Sequence, residues 1–270
     1  MMKVTLIGAG NLATQLGKSL KNAGVVISQV YSRTEVSAKA LAELLETEWL
    51  TDVSKLHDEA DIYIFSVKDS VLCELISEVC KGRRDKLFLH TAGSMPMHCF
   101  EGKAKRYGVF YPMQTFSKVK DVSFKNIPVF IEGNSVETEE VIRSLANKLS
   151  KRVITLSSAD RKYLHLAAVW ACNFTNHCYS VASDILGEHG IPFDVMLPLI
   201  DETTDKIHRI SPKEAQTGPA VRGDRNVMNQ QLELMNDRVD LQELYRLLSK
   251  GINPLVDSPI LNDKRINNKL

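Results

Sequence analysis

Over about the first 155 residues the chain alternates short apolar runs with longer stretches of helical spacing. Val4–Ile7, Val25–Tyr31, Asp61–Val67 and Lys86–His90 predict strands, as do the shorter Val109–Phe110, Val129–Ile131 and Val153–Leu156. Asn11–Ala23, Val36–Leu45, Ser70–Cys80 and Glu137–Ser150 place apolar residues three and four positions apart and predict helices, the first closing at Gly24. Strands alternating with helices of about 10–15 residues make βαβ units and a parallel sheet. Helices on both faces of that sheet explain runs that are apolar throughout instead of alternating.

The texture changes at Ser157. Ala159–Leu186 is a single helical pattern of about 28 residues without Gly or Pro, and Phe193–Ile210, Asp224–Met235 and Leu241–Ile252 follow as further helices. The expected class is therefore α/β, a doubly wound sheet over residues 1–156 followed by an all-α domain over residues 157–270. The polar Asn262–Leu270 end is expected to fray.

Gly8-Ala9-Gly10-Asn11-Leu12-Ala13 stands between the first predicted strand and the first helix. In a G-x-G-x-x-A turn the first Gly permits the tight bend and the second lets the backbone approach a pyrophosphate. The small third residue lets helix and strand pack closely. The helix N-terminus then offers free N–H groups to the phosphates. Strand before and helix after meet the context this motif requires, and they point to a Rossmann dinucleotide site. A purely structural glycine turn is the alternative. The second strand ends in Ser32-Arg33-Thr34, with no acid before Glu35. An arginine can pair with a 2′-phosphate and the two hydroxyls can donate to it, so NADP(H) is expected over NAD(H), unless Arg33 is simply solvated. Ligands lie outside the carboxyl ends of parallel strands. Ser66, Val67 and Lys68 after one strand, and His90 and Thr91 after another, are therefore expected to flank the ribose and nicotinamide. For Lys68 the alternative is a solvated side chain, and for His90 a ring bonded to backbone.

Charge narrows the partners. Lys plus Arg number 34 and Asp plus Glu 33, a net charge of +1, which supplies no field for nucleic acid. Five scattered cysteines without CxxC spacing argue against a metal site or redox dithiol and fit reduced thiols in the cytoplasm. No apolar stretch reaches a membrane span, and the N-terminus runs into a strand rather than a cleavable signal.

At about 100° per residue, Lys162, His165, Cys172, Asn173 and Asn176 project within one arc of the long helix, opposite Ala167, Trp170 and Phe174. Hydride transfer to a C=O or C=N bond leaves charge on the heteroatom, so a nearby donor lowers the barrier. Lys162 or His165 is the candidate proton carrier and Asn173 the group that orients the substrate. The stripe can equally be a solvent face or a seam in a dimer. Two more segments are candidate walls of the cleft. Tyr107–Phe116 is rich in aromatics, and Thr217–Asp224 carries Arg222 as a possible carboxylate ligand.

Taken together, VTLIGAGNLA, VYSRT, LHTAGS, GVFYPMQTF, HLAAVWACNFTNH and TGPAVRGD resemble the bacterial DUF2520 family. Its wider relatives are 6-phosphogluconate and 3-hydroxyisobutyrate dehydrogenases, pyrroline-5-carboxylate reductase and F420-dependent NADP oxidoreductases. The resemblance implies an NADP-binding Rossmann domain and a helical domain that builds a homodimer. The hydroxyacid dehydrogenases of the wider group use a lysine and an asparagine on the first long helix after the Rossmann domain. Lys162 and Asn173 lie on that helix here but farther apart, and His165 occupies a comparable place. The expected function is hydride transfer between NADP(H) and a small carbonyl, imine or alcohol in the interdomain cleft. A non-catalytic NADP(H) sensor or scaffold is the alternative. No sequence feature demands a deazaflavin as second cofactor.

Overall fold

The computed structural model describes residues 2–256; the expected frayed end lies outside them. The first part alternates as the pattern predicts: β1 (Lys3–Ile7), α1 (Asn11–Asn22), β2 (Val26–Tyr31), α2 (Glu35–Leu45), β3 (Glu48–Leu50), β4 (Ile62–Phe65), α3 (Asp69–Val79), β5 (Leu87–His90), β6 (Arg106–Pro112), β7 (Val129–Gly133), α4 (Val136–Asn147) and β8 (Val153–Thr155). The strands form one sheet in the order β3-β2-β1-β4-β5-β6-β7-β8. All neighbours are parallel except β6 and β7, which run antiparallel. The antiparallel pair departs from the all-parallel expectation for a topological reason. A parallel return needs a crossover, usually a helix, and residues 113–128 form only a loop with one short 3₁₀ turn at Phe124–Asn126.

Pleating sends successive side chains to opposite faces. Val4, Leu6, Ile62, Ile64, Leu87 and Leu89 meet α1, α2 and α4 on one face. Ile7, Tyr63, Phe65 and Phe88 meet α3 and Phe100 on the other. Both faces are dry, which is why the strands read as continuous apolar runs.

The long helix begins as α5 (Ser158–Ala168), widens through a π-helical segment at Val169–Phe174 and continues as α6 (Thr175–Glu188). Thr175 Oγ1 donates to the Trp170 carbonyl, five residues back, at 3.3 Å. Then come α7 (Leu197–Ile207), α8 (Pro212–Ala215), α9 (Pro219–Arg222), α10 (Arg225–Glu233) and α11 (Val239–Ile252). Residues group into two compact units, Met1–Tyr179 and the residues from Ser180 on. In the first unit, Ser158 and Arg161 at the start of α5 are bonded to Glu132 on β7. In the second, a small core of Ala220, Met228 and Val256 forms among the described residues, while Leu197, Leu199, Ile207, Ile210, Leu247 and Leu248 point outward. No helix among the described residues is long and apolar enough to cross a membrane.

Candidate active site

The carboxyl ends of β1 and β4 close on each other. Gly8 has φ +121°, and a Cβ there would stand 2.3 Å from the Ser66 carbonyl oxygen. Backbone conformation and close approach both demand glycine. Ser66 N donates to Ile7 O at 2.8 Å and Gly8 N to Tyr31 O at 2.7 Å, which pins the turn to its neighbouring strands. Ala9 is buried. Gly10 is the N-cap of α1; no side chain caps it and no acid sits in the first turn. Open space lies where its Cβ would be. Uncapped N–H groups facing open space are what a pyrophosphate needs. Ala13 is fully buried, so the small third residue lets α1 pack on the sheet. Leu12 is half-buried and packs at the edge of the same core.

At the end of β2, Ser32 is half-buried, and Arg33 and Thr34 are exposed. Thr34 is the N-cap of α2 without using its hydroxyl. Among the described residues Arg33 makes no ion pair, so its guanidinium is available to a phosphate. At the end of β4, Ser66 and Val67 are half-buried and Lys68 exposed. Thr91, buried, donates to Phe65 O at 3.1 Å and bonds Ser66 Oγ at 3.2 Å. It therefore shapes the turn from behind.

His90 takes the alternative reading, a ring bonded to backbone. It follows Phe88 on the pleat, so its ring turns into the core with 0 % exposure and stacks on Phe100. Its Nδ1 accepts from Ala92 N at 3.2 Å. Burial, with the Arg161 charge nearby, pushes its pKa down to about 3, so the ring is neutral. The side chain points into the core and braces the start of the Thr91–Ser94 turn.

That turn receives His165. A Cβ on Gly93 would lie 2.5 Å from His165 Nδ1. The same nitrogen stands 3.2 Å from the Tyr111 hydroxyl, on the penultimate residue of β6. The Tyr111 hydroxyl is held above the ordinary phenol range by burial, against the opposing charge of Arg161. One helical turn before His165, Arg161 is only 1 % exposed. Its Nη1 donates to Glu132 Oε2 at 2.8 Å, and its Nη2 donates to Met95 O at 2.5 Å and Ser158 Oγ at 3.1 Å. Ser158 N and Oγ both donate to Glu132, at 2.9 and 2.5 Å, and Met97 N donates to Ser158 Oγ at 2.9 Å. The start of α5 is thus fastened to β7 and to the segment after β5. Positions i and i+4 share a helix face, so fastening Arg161 aims His165 at Gly93 and Tyr111.

The rest of the expected stripe does not join this pair. Lys162 is exposed, its ammonium 5.0 Å from the Tyr163 ring centroid. Asn173 lies in the π segment, exposed, and has no hydrogen-bond partner among the described residues. A uniform 100° projection fails there, because an i→i+5 helix turns less per residue and each later position drifts. Tyr111, Gly93, Arg161 and Glu132 were not identified from the sequence as site residues. Tyr111 lies inside the aromatic segment Tyr107–Phe116, and the signal for Arg161 is its four-residue spacing to His165.

Two family models match the chain. "NADP oxidoreductase coenzyme F420-dependent" covers residues 3–92, and "Domain of unknown function (DUF2520)" covers residues 127–252. A Bacteroides fragilis protein described as a candidate NADP oxidoreductase is 51% identical, over 94% of this chain and 98% of that one, with a TM-score of 0.91. The chain belongs to the DUF2520 family of Rossmann-fold oxidoreductases. An imine reductase from Myxococcus stipitatus in complex with NADP+ shares the fold at 18% identity, covering 94% of each chain, with a TM-score of 0.68. So does 1-pyrroline-5-carboxylate reductase from Streptococcus pyogenes at 15% identity, over 94% of this chain and 99% of that one, with a TM-score of 0.61. No curated protein matches the chain.

Proposed function

We propose that this DUF2520 protein is an NADP(H)-dependent oxidoreductase that moves hydride to or from a small carbonyl, imine or alcohol, and that Tyr111 and His165 handle the accompanying proton. The uncapped α1 terminus over Gly10 would hold the pyrophosphate. Ser32, Arg33 and Thr34 would hold the 2′-phosphate, and Ser66, Val67 and Lys68 would lie along the ribose. When bound, the cofactor supplies the hydride; every proton comes from the protein or water. With Nδ1 protonated, His165 donates to the Tyr111 oxygen and leaves the phenol proton free for the substrate heteroatom. Tyr111 is then reprotonated by the Nδ1 proton of His165 as Nε2 of that half-buried ring takes a proton from solvent, so the imidazole ends neutral. In the oxidative direction the pair accepts the substrate proton by the same route.

The observation that carries this reading is the Tyr111–His165 contact fitted over Gly93 and held by Arg161. A sensor that only bound NADP(H) would have no use for a buried phenol bonded to an imidazole. The substrate is kept at class level, because carbonyl, imine and alcohol make the same demand on a proton carrier. We also infer a homodimer through the carboxy-terminal helices, supported by the outward apolar residues of α7 and α11, and a cytoplasmic location, supported by five free thiols.

The test is NADPH oxidation in a fractionated small-molecule extract, with Tyr111→Phe and His165→Ala run beside the wild type. Both variants should bind NADPH normally and turn over about 10²–10⁴-fold more slowly. Equal turnover by all three proteins would remove the pair from the mechanism.

A further inference from the structure

The connection between β6 and β7 leaves and re-enters the sheet at its carboxyl edge, because the two strands are antiparallel. On the way it lies along α1, held by three side chains. Asn11 Nδ2 donates to Phe116 O at 3.0 Å. Gln15 Nε2 donates to Ser117 O at 2.6 Å and to Lys120 O at 3.0 Å, and Gln15 Oε1 accepts from Val122 N at 3.4 Å. Lys18 Nζ pairs with Asp121 at 2.6 Å. Positions 11, 15 and 18 form one helix face. Gln15 is 1 % exposed, and all its partners lie on this strap. A buried amide is costly unless bonded, so the strap is what makes glutamine tolerable at that position.

Two anchors lie five residues apart. Tyr111 meets His165 at one end. Phe116 meets Asn11, inside the phosphate turn, at the other. Gln114 and Thr115 lie between them, both exposed. The Gln114 side-chain oxygen Oε1 accepts from Thr115 N at 2.8 Å. That leaves its amide nitrogen without a protein partner among the described residues. A dinucleotide with its pyrophosphate on α1 and its reactive ring near the Tyr111–His165 pair must pass alongside this stretch.

We propose that residues 114–122 are a strap locked by the dinucleotide, and that Gln15 is the positioning residue that fixes it on α1 and sets Gln114 and Thr115 beside the nicotinamide half. The proposal rests on the NADP(H) reading above. Coupling follows from the shared anchor: Asn11 holds the strap through its side chain and belongs to the turn that receives the phosphates. Whatever orders that turn stabilises the closed strap, and a closed strap preforms the turn.

Lys118 and Lys120 are exposed on the strap and report its opening to trypsin, with the cut sites read by mass spectrometry. Opening and reclosing faster than cleavage makes the rate follow the open population. Saturating NADPH, its binding measured separately by fluorescence, should slow cleavage after Lys118 and Lys120 about fivefold or more in the wild type. Gln15→Met keeps the volume and loses the amide. It should be cut about five- to tenfold faster and bind NADPH about five- to tenfold more weakly, with KM for NADPH rising by the same factor. Lys18→Asp places a like charge opposite the exposed Asp121, with melting temperature checking the fold. It should raise cleavage, and adding Asp121→Lys should restore it. Binding of NADPH without any change in cleavage overturns the proposal and leaves the cofactor reading standing. So does a Gln15→Met protein with wild-type cleavage and affinity. Absence of NADPH binding brings down both.

Discussion

Gly93 is where one methyl group decides whether the proton pair assembles. Its φ is not in the left-handed region, so alanine is allowed by the backbone, but the new Cβ would lie 2.5 Å from His165 Nδ1. Gly93→Ala should displace the imidazole and lower kcat/KM by about 10²-fold, with a melting temperature close to wild type. Arg33 tests the other end of the cofactor. Arg33→Ala removes a charge-assisted contact to the 2′-phosphate, so KM for NADPH should rise about tenfold or more while KM for NADH barely moves. His90 sets a pH dependence of folding. Its folded pKa, about 3, lies below the ordinary 6.5, so between those values the unfolded chain binds the extra proton. Stability is then intact well above pH 6.5 and falls below it with a slope of up to about 1.4 kcal/mol per pH unit. Thermal melts from pH 7.5 to 5 should show that slope for the wild type and a flatter one for His90→Gln. Legibility at this scale was uneven. The glycine turn was readable because it depends on local spacing. Tyr111 was not readable as the partner of His165, since their contact depends on β6 register and on how α5 is seated.

Two elements seat the imidazole of the pair, β7 and α5, and Glu132 joins them. Taking away one partner of a buried ion pair leaves the other charge stranded, which costs about 3–5 kcal/mol. Glu132→Ala should lower stability by an amount of that order and kcat as well, because α5 loses the bonds that aim His165. Arg161→Met with Glu132→Leu should recover much of the stability and little of the activity. Chemical denaturation and turnover of the two variants separate the structural contribution from the positioning one. Most helices and strands were legible from periodicity, since burial on two faces leaves a strong apolar signal. The three-residue β3 was too short to show a period. The direction of β7 depends on whether the chain crosses over before it, which residues 113–128 do not announce. The π segment was hidden as well: Val169–Phe174 has ordinary helical composition, and only the backbone shows the wider turn.

Across the whole molecule the apolar surface is unevenly spent. The first unit buries nearly every aliphatic residue of its sheet, whereas the described helices from Ser180 onward leave Leu199 59% and Leu247 61% exposed. Single exposed leucines are ordinary, but leucines and isoleucines repeated along α7 and α11 exceed what an isolated surface needs. A second copy covering these helices would remove that area from water at about 25 cal/mol per Å². Sedimentation equilibrium of the wild type should therefore give about twice the chain mass of 30.3 kDa. Leu199→Glu adds a charge at a position already exposed in the single chain, so the fold of one copy has no reason to suffer. If the face is an interface, burying that unpaired charge costs several kcal/mol and the variant should sediment as a monomer with an unchanged far-ultraviolet spectrum. A wild type that sediments as a single chain, or a variant that remains paired, would place the contact elsewhere or nowhere.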